Sequence, residues 1–309
     1  MSQSPDLFKG IDSKRIATFQ KAAGTALNKY RQYVQSDKIS WTVIASPSEA
    51  WAEKVFPNLP KEKQVDALWD AIFKATRSDL DNPVEAWTKH NDTLHEKVHY
   101  LNAKKYAKLH YTAPGTDLTI ELPKGHLWCG AGSVNEKGEE FMANMPTEEV
   151  FTVPHKDGVN GYVSSTKPLS YGGNIIDNFK ITFENGRITK VEAEQGEEVL
   201  KNLVATDEGS HRLGEVALVP HDSPISNSGL LFYNTLFDEN ASNHLAIGSA
   251  YAFCLEGGKK MNREELEANG LNQSITHVDF MIGSAEMNID GITEDGKTEP
   301  VFRNGNWAF

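Results

Sequence analysis

The chain has 309 residues, enough for two domains of ordinary size, since a domain usually holds ~100 to 200 residues. Hydrophobic residues make up 39% and charged residues 24%, with 24 glycines and 13 prolines, so collagen-like and low-complexity chains are excluded. The formal net charge is −12, and the chain has no run of Lys and Arg that would form a basic segment. Because an acidic surface repels phosphates, nucleic acid is not an expected partner.

The cysteine usage indicates a reducing compartment. Cys129 and Cys254 are the two cysteines, and neither has a second cysteine nearby in sequence for a C-x-x-C pair or a disulfide framework. Residues 1–15 hold no apolar stretch of the signal-peptide kind, and no later window approaches ~20 uninterrupted apolar residues. We therefore expect a cytoplasmic protein with no membrane partner.

Residues 11–105 show mostly helical periodicity. A first helix is predicted behind Asp12 or Ser13 as N-cap. Its apolar positions recur at helix spacing: Ile16, Phe19, Ala22, Ala23 and Ala26. Two further helices are predicted over residues 62–76 and 83–102.

A strand followed by a helix is predicted between these helices. Residues 39–44 have the composition of a buried strand. The helix after it is expected to begin with Ser46 as N-cap, Pro47 at the first helical position and Glu49 completing a capping box. A strand-to-helix unit of this kind is typical of an α/β layer.

After Tyr106 apolar and polar residues alternate with a period of two residues, which predicts strands. A hairpin is predicted at Asn185-Gly186, because this pair favours the type I′ turn of two-residue loops. Further turns are expected at three similar pairs: Asp290-Gly291, Asp295-Gly296 and Asn304-Gly305. Helices are predicted over residues 196–204 and 241–254.

These patterns predict an α+β fold. A partial α/β helical segment occupies residues 1–105, and a strand-rich, mainly antiparallel domain occupies residues 106–309. No internal repeat is present, so a solenoid or a propeller is not expected.

The residues from His95 to His99 spell H-E-K-V-H, which matches the H-E-x-x-H signature of mononuclear zinc proteases. On a helix this spacing puts two imidazoles one turn apart with Glu96 between them. However, Lys97 puts a cation inside the motif, and no third ligand follows at a suitable spacing. We therefore favour a polar helix face and keep the zinc site as an alternative.

Two strand patterns present side chains suited to metal binding. Residues 274–282 alternate so that His277 and Asp279 share one face. This pair can aim a nitrogen and an oxygen at one metal, although a buried His beside a solvated Asp fits equally well. Residues 214–220 are almost wholly apolar except for Glu215, which, if buried, must be paired, protonated or metal-bound. A strand-end glutamate facing water is the alternative for this residue.

His244 and Tyr251 are seven residues apart, which on a helix is two turns and hence one face. Ser242 or Asn243 is available as an N-cap, so a helix is predicted. On a strand the odd spacing would put the two side chains on opposite faces. A partly buried His and Tyr without a functional role is the alternative.

Glu148 and Glu149 are another candidate pair of acids. In an extended chain Glu149 shares a face with Phe151, whereas Glu148 lies on the other face. The spacing therefore leaves open which glutamate turns inward.

Several long stretches occur in order along the chain: N-M-P-T-E-E-V-F-T, S-S-T-K-P-L-S-Y, G-E-V-A-L-V-P, L-F-D-E-N-A-S-N-H-L-A-I-G-S-A-Y and T-H-V-D-F-M-I-G. In this order and spacing they resemble the aminopeptidase T family of metallo-aminopeptidases, which includes the bacterial aminopeptidase S enzymes. The earlier stretches S-W-T-V-I-A-S-P-S and L-H-Y-T-A-P-G-T-D-L-T resemble it too, so the likeness covers nearly the whole chain. Members usually begin with further α/β sequence, and we therefore expect this chain to lack that front portion.

The resemblance implies a two-metal site and makes residues 106–309 a bimetallic catalytic domain. Carried over position by position, it makes Glu149 the inward glutamate and puts Tyr251 beside the metals. The implied metal ligands are Glu149, Glu215, His244, His277 and Asp279. Cobalt or zinc is the implied ion, and the nitrogen and oxygen donors also suit manganese. The resemblance further implies a homodimer and puts the helix of His95 outside the site.

The implied activity is the removal of N-terminal residues from peptide substrates. Two ions of this kind share a bridging water and lower its pKa, so that a hydroxide attacks the first peptide carbonyl. Glu215 is expected to steer the water proton, and Tyr251 to donate a hydrogen bond to the oxyanion or to complete a metal shell. The alternative is a catalytically inactive peptide-binding or assembly module that the missing front portion has disabled.

Overall fold

The computed structural model describes residues 26–35, 37–172 and 174–309, together with residues 11, 15, 18, 19, 22 and 23. The helices of this part are α1 (Asn28–Gln35), α2 (Glu49–Val55), α3 (Lys61–Ala75), α4 (Pro83–Lys104), α5 (Glu197–Val204), α6 (Pro224–Asn227), α7 (Thr235–Asp238) and α8 (Arg263–Ala268). Its strands are β1 (Lys108–Ala113), β2 (Thr116–Glu121), β3 (Cys129–Gly130), β4 (Ser133–Val134), β5 (Glu140–Phe141), β6 (Val150–Thr152), β7 (Val159–Ser164), β8 (Leu169–Tyr171), β9 (Asn174–Glu184), β10 (Arg187–Gln195), β11 (Leu213–Leu218), β12 (His244–Gly248), β13 (His277–Met281), β14 (Asn288–Ile292), β15 (Thr298–Arg303) and β16 (Asn306–Trp307). This mixture of helices with antiparallel sheets confirms the predicted α+β class.

Two of the N-terminal helices agree with the sequence prediction in position, whereas α1 (Asn28–Gln35) lies beyond the apolar positions of the first predicted helix. The helices expected over 62–76 and 83–102 are α3 and α4. The four described apolar positions of the first predicted helix are helical: Phe19, Ala22, Ala23 and Ala26. Its predicted capping residues and first apolar position lie outside the described residues: Asp12, Ser13 and Ile16.

Two local predictions in this segment are wrong. Helix α2 is capped by Ser48 rather than Ser46, because the Ser48 side chain accepts a hydrogen bond from the backbone N–H of Trp51 at 3.3 Å. Residues 39–44 form no strand beyond a single parallel bridge between Val43 and Asn144. Ile39 and Ile44 are exposed, so this run lacks the burial on both faces that its composition suggested.

The larger sheet has nine antiparallel strands in the order β10-β9-β7-β2-β1-β14-β15-β16, with β8 paired to β9. The predicted hairpin turn at Asn185-Gly186 is confirmed, since both residues have positive φ and β9 pairs with β10 on either side of them. Turns also form at Asp295-Gly296 and Asn304-Gly305, where the strands β14, β15 and β16 are joined. The turn predicted at Asp290-Gly291 is wrong: Gly291 lies within β14 and pairs with Leu109, and the ring of Tyr106 fills the space beside it.

The smaller sheet has five antiparallel strands in the order β13-β12-β11-β6-β3. Its alternation divides the side chains between two faces. One face packs on the larger sheet and contributes Val216, Leu245, Ile247 and Phe280 to the main apolar core. The other face therefore presents the alternate residues of β11, β12 and β13, which include most of the predicted site residues.

A second apolar cluster joins the N-terminal helices to the later chain. Trp51, Leu68 and Ile72 of α2 and α3 pack with Phe232 and Phe237. The Nε1–H of Trp51 also donates a hydrogen bond to the Phe232 carbonyl at 2.5 Å. Within the described residues, no helix has both the length and the apolar character needed to cross a membrane.

Candidate metal centre

The five residues predicted as ligands converge on the face of the smaller sheet that is turned away from the main core. Strands β11, β12 and β13 supply four of them, and Glu149 directly precedes β6. Ala246 lies opposite Glu215 on one side and opposite Asp279 on the other. Because the Ala246 side chain is a single methyl group, the two carboxylates face a common space above it.

One group of potential ligands consists of Glu149, Glu215 and His244. One ligand atom from each lies within 4.8 Å of the others, and all three residues are buried. Nε2 of His244 is 3.2 Å from Oε2 of Glu149 and 3.8 Å from Oε1 of Glu215.

A second group consists of Glu215, His277 and Asp279, again with one ligand atom each within 4.8 Å of the others. Nε2 of His277 is 3.1 Å from Oε2 of Glu215 and 3.5 Å from Oδ1 of Asp279. Glu215 therefore belongs to both groups, with one carboxylate oxygen towards each histidine.

Backbone carbonyls orient both imidazoles. Nδ1 of His244 lies 3.2 Å from the Ser242 carbonyl, and Nδ1 of His277 lies 2.8 Å from the Ser249 carbonyl. Since a carbonyl only accepts hydrogen bonds, each Nδ1 carries a proton and donates it. In the neutral form of each ring, Nε2 then offers its lone pair towards the carboxylates, as in protein metal sites.

The pKa shifts show that the site stabilises positive charge. Burial alone would lower the pKa of His277, but hydrogen bonds to Asp279 and Glu215 raise it to about 11. Burial likewise opposes protonation of His244, yet Glu149 and Glu215 raise its pKa well above the usual value. Burial raises the pKa of Glu149, whereas Glu215, despite its own burial, has its pKa lowered to about 2 by the two imidazoles. Protons on the imidazoles thus provide the positive charge that bound cations would otherwise supply.

Glu239 is an acid of this site that the sequence analysis missed. It lies in a short 3-10 turn, Glu239–Ala241, that packs against β13. Burial raises the pKa of Glu239 well above its usual value, and the negative charges of Asp279 and Glu149 raise it further. The available signal was its position inside the stretch L-F-D-E-N-A-S-N-H, five residues before His244.

The donor set fits divalent cations. The two groups of potential ligands combine the carboxylates of Glu149, Glu215 and Asp279 with two imidazoles, so all the donor atoms are nitrogen or oxygen, and the charges of Asp279 and Glu149 also act on Glu239. None of the lysine or arginine ion pairs found among the described residues involves these four acids. Such a buried acidic site is stabilised by bound cations, because isolated buried carboxylates are costly.

Tyr251 lies beside the site, but the helix predicted over 241–254 is wrong. His244 begins strand β12, which pairs with β11 and β13 on its two sides, and these long-range pairings override the local helical pattern. The strand ends at Gly248, whose φ of 114° redirects the chain. The Tyr251 ring therefore reaches a position 4.8 Å from the His277 ring. Burial raises the pKa of Tyr251, and the charges of Glu215 and Asp279 raise it further, so its hydroxyl stays protonated.

The two adjacent glutamates point in different directions. Glu149 faces His244, whereas the carboxylate of Glu148 is held by Arg77, with nitrogen–oxygen distances of 2.5 and 3.0 Å. Both residues are buried, so burial alone would not have distinguished them.

The H-E-K-V-H motif lies on α4. The rings of His95 and His99 are 6.3 Å apart, but neither belongs to a group of three potential ligands among the described residues. Lys97 donates a hydrogen bond to the carbonyl of Phe309 at 3.0 Å and lies over its ring, so it anchors the C-terminus on α4. The motif therefore has a structural use on the helix.

An antiparallel sheet with a buried cluster of carboxylates and imidazoles is the arrangement of a metal-dependent enzyme. The chain belongs to the M29 family of thermophilic metalloproteases, whose family model matches residues 1–307. This confirms the family resemblance that the sequence motifs indicated.

Named relatives and a solved structure agree with this family. The chain is 72% identical over 309 residues to aminopeptidase AmpS of Bacillus subtilis (strain 168), covering 100% of this chain and 75% of that protein. It is 56% identical over 306 residues to aminopeptidase 2 of Geobacillus stearothermophilus, covering 99% and 74%. The structure of wild-type AmpT from Thermus thermophilus superposes with a TM-score of 0.94 at 44% identity, covering 100% of this chain and 75% of that one.

Proposed function

We propose that this chain is a two-metal aminopeptidase that removes N-terminal residues from peptides. The observation that carries the proposal is the position of Glu215 between His244 and His277, which lets one carboxylate serve two ions. Its relatives in the M29 family are named as aminopeptidases, which supports the same activity here.

One ion is proposed at Glu149, Glu215 and His244, and the other at Glu215, His277 and Asp279. The donors are carboxylate oxygens and imidazole nitrogens without thiolate, which suits zinc, cobalt or manganese. Zinc and cobalt are our first candidates.

Two such ions, when bound, supply an acidified water as nucleophile and a Lewis acid for the carbonyl oxygen. Glu215 is ionised at neutral pH, since its pKa is lowered to about 2, which suits it to hold a cation with each oxygen. We further propose that it steers the proton that the water loses. Tyr251 keeps its hydroxyl proton and is proposed to donate it in a hydrogen bond to the tetrahedral oxyanion. The acidic character of the site is proposed to favour the cationic α-amine of a peptide, which would account for N-terminal selectivity.

We also propose that the chain has two domains, residues 1–105 and 106–309, and that it forms a homodimer in the cytoplasm. The dimer rests on the resemblance to the aminopeptidase T family. The cytoplasmic location is supported by Cys129 and Cys254, which are free thiols although they pack in the same cluster. Light scattering after size exclusion measures the mass of the particle, and a monomer at all concentrations would contradict the dimer.

The activity is tested with protein stripped of metal and reloaded with zinc or cobalt. We expect it to release p-nitroaniline from leucine p-nitroanilide and not from the N-acetylated compound, which lacks the free amine. Peptide binding without turnover at full metal loading would instead support an inactive binding module. Equal cleavage of both compounds would contradict the N-terminal selectivity.

A further inference from the structure

We propose that Arg77 and His90 are positioning residues for the metal centre, because by holding Glu148 they fix which of two adjacent glutamates enters it. The inference rests on the proposed function in one respect, namely that Glu149 is a metal ligand. The hydrogen bonds and ion pairs of Arg77 and His90 go to Glu148 and Thr147 and not to the predicted ligands, so their effect on the centre is indirect.

Arg77 holds Glu148 with both ends of its guanidinium group. Nη1 lies 2.5 Å from Oε1 and Nη2 lies 3.0 Å from Oε2, which is the bidentate geometry of strong charge-assisted pairs. The Glu148 side chain is 4% exposed and that of Arg77 is 16% exposed. A buried pair of this kind is costly to break from one side, so Glu148 is firmly held away from the centre.

His90 of α4 holds the same segment from a second direction. Its Nε2–H donates to the Thr147 carbonyl at 2.7 Å, and the same nitrogen is 3.5 Å from Oε2 of Glu148. His90 therefore holds the backbone at Thr147 as well as the Glu148 carboxylate.

The helical segment in turn holds Arg77. The residue follows α3 with a φ of 56°, and its guanidinium carbon lies 5.8 Å from the centre of the Trp87 ring. The indole Nε1–H of Trp87 donates to the Thr76 carbonyl at 2.6 Å, which ties α4 to the end of α3. The contacts of Trp87 with Arg77 and Thr76 therefore hold Arg77 in the position from which it binds Glu148.

A third contact joins this segment to the sheet. The backbone N–H of Glu148 donates to Oδ1 of Asn240 at 2.7 Å, and Asn240 lies four residues before His244. With Glu148 fixed at its side chain and its backbone, the next carboxylate, that of Glu149, reaches to 3.2 Å from His244. Loss of the Arg77 contact would leave a second buried carboxylate free to compete for the same ion.

The consequence is selective, because Glu149 belongs to one of the two groups of potential ligands. Weaker positioning should lower the affinity of the group formed by Glu149, Glu215 and His244. The group of Glu215, His277 and Asp279 should keep its affinity. A merely structural role would change the thermal stability without this selectivity.

The test titrates zinc into the metal-free full chain, using Arg77→Lys and Glu148→Gln. Arg77→Lys keeps the positive charge but loses the bidentate guanidinium geometry. Glu148→Gln keeps the shape of the side chain but loses its negative charge. We expect one of two binding steps to weaken about tenfold or more, as for other residues that orient metal ligands, while the other step is unchanged. Arg187→Lys is the matched control, since Arg187 forms an exposed ion pair with Glu208 away from the site.

Circular dichroism of the metal-free variants checks that they are folded. If either single variant unfolds, the double variant Arg77→Met with Glu148→Leu leaves no buried charge without a partner, and it should show the same selective loss. Two unchanged binding steps in folded variants, or equal weakening of both, would overturn the positioning role. Failure of the wild-type chain to bind two ions would instead refute the proposed function.

Discussion

Glu215 on β11 and His277 on β13 come into contact across the intervening strand β12, with Oε2 of the carboxylate 3.1 Å from Nε2 of the imidazole. The other oxygen of Glu215 lies 3.8 Å from His244. Strand β11 is buried along its whole length, and Glu215 itself is 4% exposed. One side chain therefore connects the two groups of potential ligands.

Glu215→Gln should remove peptidase activity. The amide cannot hold the water proton, and it is a poorer ligand to both ions, so kcat/KM should fall by about 10²- to 10⁴-fold or more. The assay is p-nitroanilide hydrolysis at saturating zinc. Glu208→Gln, at an exposed glutamate paired with Arg187, is the control and should keep wild-type activity. Retained activity in Glu215→Gln would show that the chemistry lies elsewhere.

His277→Ala and His95→Ala distinguish the proposed centre from the H-E-K-V-H motif. His277→Ala should abolish turnover and lower the metal content, because it removes a donor atom from the second group. His95→Ala should leave both unchanged. Elemental analysis measures the metal content of both variants, and the p-nitroanilide assay measures their hydrolysis rates. Loss of activity and metal in His95→Ala but not in His277→Ala would favour the mononuclear zinc site.

Tyr251→Phe should lower kcat with little change in KM or metal content. The substitution removes one hydroxyl from a ring that lies 4.8 Å from the His277 ring. Loss of an oxyanion donor usually costs about 10²- to 10³-fold in kcat. Tyr162→Phe, at an exposed tyrosine, is the matched control. An unchanged kcat in Tyr251→Phe would exclude a role in the reaction.

The metal-free protein should lose stability as the pH rises above neutrality. The pKa of His277 is raised from 6.5 to about 11, so the folded state binds this proton more tightly than the unfolded state. The resulting stability is complete below 6.5 and is lost as the pH rises towards about 11. Urea unfolding in the presence of a chelator, near pH 7 and near pH 9.5, measures the effect. His277→Gln should show a shallower decline, and equal declines would contradict the assigned pairing.

Local sequence patterns predicted the parts of the fold that local physics decides. The Asn185-Gly186 hairpin follows from turn chemistry, and the shared face of His277 and Asp279 follows from the two-residue period of a strand. The chain from His244 to Tyr251 was predicted as a helix, because its strand conformation depends on pairing with β11 and β13. Those partners are distant in sequence, and no local signal reports them.

The choice between Glu148 and Glu149 also depends on distant residues. Glu148 is held by Arg77, which is 71 positions away, and by Asn240, which is 92 positions away. Neither partner can be found from the alternation of the strand itself. Glu239 was not predicted for the same reason, since it comes near Asp279 only when the turn Glu239–Ala241 packs against β13.

The central claim is that two divalent ions bind at one face of the smaller sheet. Elemental analysis of the metal retained per chain, after loading with zinc or cobalt and desalting, tests it most directly. We predict about two ions per wild-type chain and fewer than one in Glu215→Gln, because that residue belongs to both groups of ligands. No retained metal in the wild type, or two ions retained in Glu215→Gln, would contradict this account.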